Sequence, residues 1–326
     1  MKRKLVKFLR GVLGVAIVLL CVTLLSYSLM YLAPGDPAET ILRAGGAMPS
    51  EEDIIAKRHE MGLDLPFYKQ YARWLGNFLR GDLGVSMVDG TNVSQDLLRG
   101  MKASAWLAFL SLGVGVIVAV PAGIFSAVRR NGIFDRVINF IVFLRLSMPA
   151  FLVGIGFLYV FAYKLRMFSI VSSGAGWKGV VLPVATLSTG ICCRMIRQIR
   201  TAVSDELKAP YVDGLRSRGV KDTDILFRHV LKNTMLPIIT LIALSFGALL
   251  GGTAVTEIIF SYPGVGSMAV TAISSRDYTK IQGYVVMVAL IFCITYYLTE
   301  LSYSLFDPRL RINDGRRLLR WKKTAR

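Results

Sequence analysis

The feature that most constrains this chain is a series of long apolar stretches. A helix that crosses the hydrocarbon core of a bilayer needs about 20 apolar residues. The third stretch is long enough to tilt, or to kink at Pro149. The sequence therefore predicts an all-α integral membrane protein with six transmembrane helices. The six predicted spans are 11–32, 103–128, 134–163, 180–200, 235–255 and 283–306.

Composition agrees with a membrane protein and argues against two other classes. Hydrophobic residues make up 54% of the 326 residues, and the formal net charge is +18. This charge does not indicate nucleic-acid binding, because the basic residues flank apolar stretches and form no single patch with aromatic platforms. The cysteines show neither a disulfide framework nor a zinc-binding spacing, so we expect them to pack among helices. They are Cys21, Cys192, Cys193 and Cys293.

The first apolar stretch could be either a cleaved signal peptide or a permanent anchor. The apolar part of a signal peptide usually has about 7–15 residues, and the stretch 11–32 is longer. No A-x-A-like cleavage site precedes the sequence APGDPAE that follows it. We therefore predict an uncleaved anchor helix.

The distribution of lysine and arginine predicts the orientation of the chain, because these residues are enriched in cytoplasmic loops. With the N-terminus inside, 25 of the 39 Lys and Arg residues fall in inside segments and 13 in outside segments, and Arg145 lies within the third span. The outer segment 33–102 also contains ten acidic residues and is nearly neutral. We expect both termini and the segment 201–234 to be cytoplasmic.

The predicted outer segment contains two helical patterns. Ser50 can cap a helix whose first turn, residues 51–53, is acidic, and Gly62 can end that helix. An aromatic stripe at helical spacing follows, formed by Phe67, Tyr71, Trp74 and Phe78. Such a stripe usually packs on its own domain or lies at the lipid interface, and contact with a substrate is the alternative.

The sequence shows no catalytic or nucleotide-binding constellation. It has no phosphate-binding G-x-x-x-x-G-K-[ST] loop, no H-E-x-x-H zinc motif and no nucleophile-elbow pattern. The two histidines, His59 and His229, lie on opposite predicted sides of the membrane. A transport pathway, a receptor or an anchor therefore fits better than an enzyme, and uphill transport would need an ion gradient or a partner.

A polar, basic stretch, YVDGLRSRGVKDTDILFRHVLKNTMLP, joins the fourth and fifth apolar stretches at 211–237. Pro210 should end the helical continuation of the fourth span, because proline lacks an amide donor and clashes with the preceding turn. A short helix can then run from Tyr211 to about Arg218, and Gly219 can end it in the left-handed conformation.

The short helix is predicted to be amphipathic. Its apolar residues Tyr211, Val212 and Leu215 share one face. Such a helix can enter a groove of another protein or lie on anionic lipid, and the spacing alone leaves both alternatives open. A further helix should start near Asp222 or Thr223, either of which can cap it.

The residues of the stretch 211–237 are also similar to those of a known protein family. The stretch resembles the cytoplasmic loop of permease subunits of ATP-binding-cassette (ABC) importers, and more narrowly that of the dipeptide, oligopeptide and nickel permease family. Leu215 and Ser217 stand where that family usually has alanine, and Arg218 replaces a lysine. The matching residues are Tyr211, Val212, Arg216, Gly219, Arg228, His229, Asn233, Leu236 and Pro237.

Other stretches are similar to the same family in the same order, so the resemblance covers nearly the whole chain. They are LAPGDPAE, MGLDLPFYKQYARWLGNFLRGDLGVS, SMPAFLVGI, FSYPGVGSMAVTAISSRDYTKIQG and FDPRLR.

The resemblance implies a type I ABC importer permease-like fold, with both termini cytoplasmic and a coupling role for the cytoplasmic loop. In the family, a short coupling helix docks into a cleft of a cytoplasmic ATPase, whose closure switches the permease between inward-open and outward-open states. Gly214 would permit a close approach, while Gly219 and Pro237 would set the geometry of the loop. The implied coupling residues are Tyr211, Val212, Gly214, Leu215, Arg216, Gly219, Arg228, His229 and Pro237.

The resemblance also implies the partners. A second homologous permease subunit completes the pore, two ABC ATPase subunits hold ATP and Mg, and an extracytoplasmic solute-binding protein delivers the substrate. The segments 33–102 and 256–282 are candidate docking surfaces, although FSYPGVGSM could instead be a simple turn at the interface. The chain itself would be no enzyme and would bind neither a cofactor nor a metal. The expected substrates are dipeptides, oligopeptides or a nickel chelate, imported across a bacterial inner membrane.

Two charged residues lie within predicted spans, Arg145 in the third and Glu300 in the sixth. A charge at the centre of a bilayer costs at least about 2.5 kcal/mol. Each should therefore face the translocation pathway or a partner, unless it lies nearer an interface and extends its side chain to water. On the pathway, Arg145 could meet a substrate carboxylate.

These observations predict three regions. Residues 1–102 form the anchor helix and an extracytoplasmic loop, residues 103–306 form the permease core with the coupling loop 201–234, and residues 307–326 form a basic cytoplasmic tail. The alternative function is a gradient-driven secondary transporter, which would need relay groups within the spans and usually two related halves. A membrane-anchored sensor would need a larger cytoplasmic output domain than the stretch after Asp307.

Overall fold

A computed structural model describes residues 2–32, 35–44, 48–174 and 176–306, without the side chains of 2–10, 40, 44, 252, 296 and 298–306. The predicted tail 307–326 lies outside the described residues. The described chain is helical, and the only extended pairing within it is an isolated bridge between Val85 and Asn92.

The helices follow one another through short connections, and two π-helical turns continue α7 and α10. The π-helical turns are Leu158–Lys164 and Ile225–Val230. The α-helices of the described residues are α1 (Lys2–Leu32), α2 (Pro37–Ala44), α3 (Glu51–Met61), α4 (Phe67–Leu79), α5 (Val93–Val128), α6 (Ile133–Ser147), α7 (Ala150–Phe157), α8 (Trp177–Glu206), α9 (Pro210–Ser217), α10 (Asp222–Asp224), α11 (Leu231–Gly252), α12 (Ala254–Ile259), α13 (Val265–Ser274) and α14 (Tyr278–Phe306).

Five helical segments of the described chain are long and apolar enough to cross a membrane, and a bent helix pair adds a sixth if it counts as one span. The predicted all-helical membrane fold is therefore confirmed. The five segments are Gly11–Leu32, Val93–Val128, Trp177–Glu206, Asp222–Gly251 and Tyr278–Thr295.

The third predicted span is broken more sharply than a kinked helix would be. α6 ends at Ser147, α7 begins at Ala150, and the two helices are bent by 99°. Met148 between them has φ −97° and ψ 129°, an extended conformation. The ring of Pro149 disfavours the helical conformation for the residue before it. Pro149 therefore separates two helices in place of kinking one.

The chain forms two compact units. One combines Met1–Ala105 with Pro263–Cys293, and the other combines Trp106–Tyr262 with Ile294–Arg326. The functional division into anchor, permease core and tail is a separate matter and stays a prediction.

In the first unit, α3 has the predicted ends. The Ser50 hydroxyl accepts a hydrogen bond from the amide of Asp53, and the Asp53 carboxylate accepts one from the amide of Ser50 at 3.1 Å. The Ser50 hydroxyl also donates to the Asp53 carboxylate at 2.7 Å. This bond and the one from the Ser50 amide lower the pKa of Asp53 and keep its carboxylate charged at the positive end of the helix. Gly62 ends the helix with φ +68°, a left-handed conformation that glycine adopts without steric cost.

The aromatic stripe of α4 packs on the first span within the same unit. The rings of Phe67 and Tyr31 meet edge to face with centroids 5.3 Å apart, and Tyr71 meets Tyr27 in the same way at 5.6 Å. The Tyr71 hydroxyl also lies 3.0 Å from the hydroxyl of Thr23. The stripe therefore packs on its own domain, as its residue types favour.

α5 begins at Val93, well ahead of the predicted edge at 103. The side chain of Asn92 accepts a hydrogen bond from the amide of Gln95 at 3.1 Å and so caps the first turn. Val93 and Leu97 are buried against Val265. This packing extends the helix beyond its apolar stretch.

The second unit is built around α8, which packs on α6, α7, α11 and α12. The buried carboxylate of Asp135 in α6 accepts two hydrogen bonds from the Arg200 guanidinium of α8, at 2.6 and 2.7 Å. It also accepts one from the Ser126 hydroxyl of α5 at 2.5 Å and one from the Asn131 amide at 2.9 Å. One carboxylate thus joins three helices.

Replacing this carboxylate should destabilise the second unit. Asp135→Ala leaves the guanidinium of Arg200 without its partner, and breaking such a buried ion pair typically costs about 3 kcal/mol or more. We expect a lower midpoint of thermal unfolding for the purified variant in detergent. Asp205→Ala is the matched control, because Asp205 forms an exposed ion pair with Lys208 at 3.6 Å. Equal midpoints for the two variants would contradict this prediction.

Candidate functional site

The short helix α9 has the ends that the sequence predicts. α8 ends at Glu206, and Pro210 occupies the first position of α9, where its missing amide donor is of no consequence. Ala209 before it is extended, with ψ 141°. Gly219 follows the helix with φ +78°, so the predicted left-handed conformation is confirmed.

The carboxylate of Glu206, at the end of α8, links α8, α9 and α11. Glu206 accepts a hydrogen bond from the Tyr211 hydroxyl of α9 at 2.7 Å and one from the Asn233 side chain of α11 at 2.7 Å. Partial burial and the nearby carboxylate raise the pKa of Tyr211, so its hydroxyl stays protonated and can donate. We call Glu206, Tyr211 and Asn233 the carboxylate clamp.

The apolar face of α9 packs on its own chain. Val212 is fully buried and Leu215 is half-buried, so these two side chains anchor the helix. The opposite face, formed by Gly214, Ser217 and Arg218, is exposed. The surface that remains open to a partner is therefore the polar face.

Gly214 lies at the centre of this exposed face. A Cβ atom added there would meet no atom within 4 Å, so the space above the helix is open. The neighbouring Arg216 is held by two carboxylates, Asp222 at 2.9 Å and Asp213 at 3.6 Å. This arrangement leaves Gly214 as the point where another chain can approach the α9 backbone most closely.

The helix after α9 starts differently from the prediction. Lys221 occupies the cap position, and no side chain caps the helix, so the expected cap by Asp222 or Thr223 is wrong. The Asp222 carboxylate accepts a hydrogen bond from Arg216 in place of capping the helix.

Pro237 lies inside α11, so it does not shape the loop as expected.

Two further predicted coupling residues lie on the π-helical turn that follows α10. Arg228 is exposed and forms an ion pair with Asp224 at 3.6 Å, while His229 is half-buried. Phe227 beside them is exposed. The turn therefore presents a mixed basic and aromatic surface.

Arg145 binds oxygen atoms of its own chain at the break between α6 and α7. It donates to the Met148 carbonyl at 3.2 Å, to the Thr189 hydroxyl at 3.1 Å and to the Thr186 carbonyl at 3.4 Å. The guanidinium thus ties the end of α6 to α8 and keeps part of its five-donor capacity. For Glu300, the other intramembrane charge, the side chain lies outside the described residues.

Arg145 also lines a cavity of about 460 Å³ between α5, α6 and α8. Most of its walls are apolar, and Cys192 and Cys193 contribute to them. Both thiols are free. Within the described residues, no group of three or more His, Cys, Asp or Glu side chains could hold a metal ion.

Sequence reasoning missed part of the site. Glu206 carries no motif and is separated from Tyr211 by a helix break, so only the fold brings the two together. Asp135 and Arg200 lie 65 positions apart along the chain. Asn233 did carry a signal, because it matches the family resemblance described above.

Comparison with known proteins defines the class. Residues 119–312 match the family described as "Binding-protein-dependent transport system inner membrane component", and residues 4–94 match the N-terminal component of the same systems. The chain belongs to this family of binding-protein-dependent transport components. It is a permease of the bacterial inner membrane. It is a non-enzymatic permease subunit of an ABC importer of the peptide, nickel and glutathione type.

Relatives of known name cover almost the whole chain. The glutathione transport system permease protein GsiC of Pectobacterium atrosepticum is 34% identical over 304 residues, which is 93% of this chain and 98% of the relative. The nickel import system permease protein NikB of Staphylococcus aureus is 35% identical over 299 residues, which is 92% of this chain and 90% of the relative.

Solved structures show the same fold at low identity. Two crystal forms of the MetNI methionine ABC transporter in inward-facing conformations are similar, with TM-scores of 0.50 and 0.55 at 16% identity. They cover 63% and 65% of this chain, and 95% and 97% of the solved chains. The fold is therefore that of a type I ABC importer permease.

Loosening the carboxylate clamp should release α9. Tyr211→Phe removes one hydrogen bond to Glu206, a loss of about 1 kcal/mol. We expect faster amide hydrogen exchange in residues 207–219, measured on the purified protein by mass spectrometry. Tyr68→Phe, at an exposed tyrosine of α4, is the matched control and should leave this exchange unchanged. Unaltered exchange in Tyr211→Phe would show that the clamp does not hold α9.

Proposed function

We propose that α9 is the coupling helix of the importer and that it receives the movement of a cytoplasmic ATPase subunit. The observation that carries this proposal is the combination of a rigidly anchored helix with an open outer face. Val212 and the carboxylate clamp fix α9 to α8 and α11, while the exposed Gly214 offers a close approach to the backbone. A helix fixed in this way transmits a displacement to both membrane helices.

The other predicted coupling residues have distinct roles in this proposal. Arg216 stiffens the end of α9 through Asp222, and Gly219 permits the chain to turn back toward α10. Arg228 and His229 lie on the adjacent π-helical turn and extend the surface that an ATPase could contact. Leu215 supports the surface from beneath α9, while Pro237 lies inside α11 and takes no part in the loop.

The proposal includes the orientation of the chain. The excess of Lys and Arg in the segments before 11, at 129–136, at 194–233 and after 307 supports cytoplasmic termini and a cytoplasmic α9. The anchor helix and the outer segment 33–102, the permease core 103–306 and the basic tail 307–326 are the corresponding functional regions.

The proposed assembly contains partners that supply what this chain lacks. Two ABC ATPase subunits bind ATP and Mg and hydrolyse the nucleotide, and a second homologous permease subunit completes the pore. A solute-binding protein delivers the substrate on the outer side, where the segments 33–102 and 256–282 are candidate docking surfaces. The dependence on a binding protein is stated in the description of the family itself.

The substrate class is a short peptide, including glutathione-like peptides, or a nickel chelate. One similar relative is a glutathione permease and another a nickel permease, at 34% and 35% identity. We propose Arg145 and Glu300 as pathway residues, and the support for Arg145 is a cation with spare donors on the wall of an intramembrane cavity.

The coupling role is tested by Gly214→Trp in the assembled importer. The indole has space within the chain but would block a close partner, so we expect ATP-driven uptake to fall about tenfold or more while membrane insertion is retained. Uptake into proteoliposomes and ATPase activity are the measurements. Gly76→Trp in α4, where the space is also open, is the matched control. Normal uptake by Gly214→Trp, or labelling of Ser217→Cys from outside the cell, would contradict the proposal.

The pathway role is tested by Arg145→Gln. Removal of the charge should reduce uptake of substrates that carry a carboxylate more than uptake of neutral analogues, because the charge-assisted hydrogen bond is lost. Arg145→Lys keeps the charge and should retain more of this preference. Competition between acidic and amidated peptides in the uptake assay measures the preference. A preference equal to that of the unmodified protein would contradict the pathway role.

A further inference from the structure

The exposed face of α8 is polar, although α8 is one of the helices that can cross a membrane. Between positions 179 and 206 no apolar side chain of α8 is exposed. α6, which packs on α8, instead exposes apolar side chains such as Phe140 and Phe143. A helix face that meets lipid tails is apolar, so α8 does not present a lipid-facing surface. Its exposed side chains in this range are Arg194, Arg197, Gln198, Thr201 and Asp205.

Two arginines give this face its charge. Neither the Arg194 nor the Arg197 guanidinium forms an ion pair or a hydrogen bond with another described residue. The acidic member of the face, Asp205, forms an ion pair with Lys208 at 3.6 Å. A charge within a membrane-spanning segment is tolerated only beside water or protein, so this face indicates a hydrated surface. We call Arg194, Arg197, Gln198 and Thr201 the basic stripe.

The basic stripe borders a groove of about 510 Å³ between α8 and α11, two helices of the second unit. Arg197, Gln198 and Thr201 line the α8 side, and Pro237 and Leu241 line the α11 side. Sites for small molecules usually have volumes of about 300–1,000 Å³. A guanidinium carries five N–H donors in a planar fork, which binds a carboxylate through two parallel hydrogen bonds. The groove is therefore suited to a small solute that carries a carboxylate.

Arg145 lies at the other end of the same side of α8. A Cβ atom added to Gly190 would meet its Nη2 atom at 3.1 Å, so the guanidinium lies against α8 at this glycine. Gly190, Arg194 and Arg197 follow one another at helical spacing and share one side of the helix. With a rise of 1.5 Å per residue, Arg197 lies about 10 Å further along α8 than Gly190, in the direction of α9. Three cations thus follow one another from the bend between α6 and α7 toward α9.

We propose that the basic stripe binds the carboxylate of a transported solute after that carboxylate leaves Arg145. Arg194 and Arg197 bind the carboxylate in turn, and the groove beside α11 holds the rest of the solute. Two cations in one groove attract anions and repel cations, so the stripe selects acidic substrates. The inference rests on the proposed function, because it adds a second anion site to the pathway of Arg145.

A lipid phosphate is the competing anion. Its headgroup could pair with either arginine, but its acyl chains would have to lie along a helix face that exposes no apolar side chain. A solute with a carboxylate meets no such conflict, because it needs only the groove and the two guanidinium groups. The composition of α8 therefore favours the solute.

The first test measures the charge preference of the groove with two thiol reagents. Thr201→Cys places a thiol beside Arg197 in the assembled importer, held in nanodiscs of phosphatidylcholine. The tryptic peptide 201–208 contains no native cysteine, so mass spectrometry follows this thiol alone. The reagents are 2-sulfonatoethyl and 2-(trimethylammonium)ethyl methanethiosulfonate, and each rate is divided by the rate with 2-mercaptoethanol.

We expect the sulfonate reagent to react about tenfold faster than the ammonium reagent on this scale. Arg194→Gln combined with Arg197→Gln should abolish the preference. Lys178→Gln, which removes an exposed cation at the other end of α8, is the matched control and should preserve it. Equal rates for the two reagents would overturn the proposal.

Two further arms identify a different occupant. Ser173→Cys lies in an exposed loop and reports that the reagents are active. If Ser173→Cys reacts and Thr201→Cys does not, lipid or another chain covers the stripe and the proposal is wrong. A preference that disappears when phosphatidylglycerol is added to the nanodiscs would assign the stripe to lipid phosphate and would also overturn it.

The second test measures uptake into phosphatidylcholine proteoliposomes. The double variant Arg194→Gln, Arg197→Gln should lower kcat about tenfold for a peptide with a free C-terminal carboxylate, because the charge-assisted hydrogen bonds are lost. It should leave kcat for the amidated peptide nearly unchanged. An equal fall for both peptides would reveal a purely structural role and contradict the proposal.

The thiol test separates this inference from the proposed function, because it requires neither transport nor a known substrate. Normal uptake by Gly214→Trp would contradict the coupling role of α9 and leave the charge preference at Thr201→Cys as expected. An unaltered substrate preference in Arg145→Gln would remove Arg145 from the pathway without changing the thiol result.

Discussion

The hydrogen bonds and ion pair of the buried Asp135 carboxylate are the interaction on which the α9 end of the second unit depends. It fixes Arg200 in the last turns of α8, and through Ser126 and the Asn131 amide it joins the ends of α5 and α6 to the same point. Glu206 follows on the same helix and holds α9. A displacement of α9 therefore acts on a helix that is already tied to two others, and the three can move as one body.

Local chemistry made much of the fold predictable, and long-range packing explains the remainder. Pro210 and Gly219 define α9 through restrictions that act on their own backbone and its neighbours, and so these ends could be read from the sequence. The start of α5 could not, because Val93 and Leu97 continue the helix through contact with the distant Val265. Pro149 indicated a kink in the third span, but the sequence does not determine the 99° angle of the bend.

The sequence predicted where α9 begins and ends, but it did not predict which face of α9 is exposed. The amphipathic pattern of α9 is real, yet its apolar residues Val212 and Leu215 face the chain itself and leave the polar side outward. A pattern reports that a face is apolar and does not report what covers it. The clamp acceptor Glu206 could be recognised only from its three-dimensional neighbours, since no spacing in the sequence distinguishes it.

The break at Met148 restricts which part of the chain lipid acyl chains can contact. Two helices at 99° cannot both run along the bilayer normal, and the backbone between them lacks regular helical pairing. Non-helical backbone at membrane depth is tolerated only against protein or water. Arg145 covers the Met148 carbonyl from one side, and its own charge has the same requirement. Lipid tails must therefore avoid this corner of the chain, and protein or water has to border it.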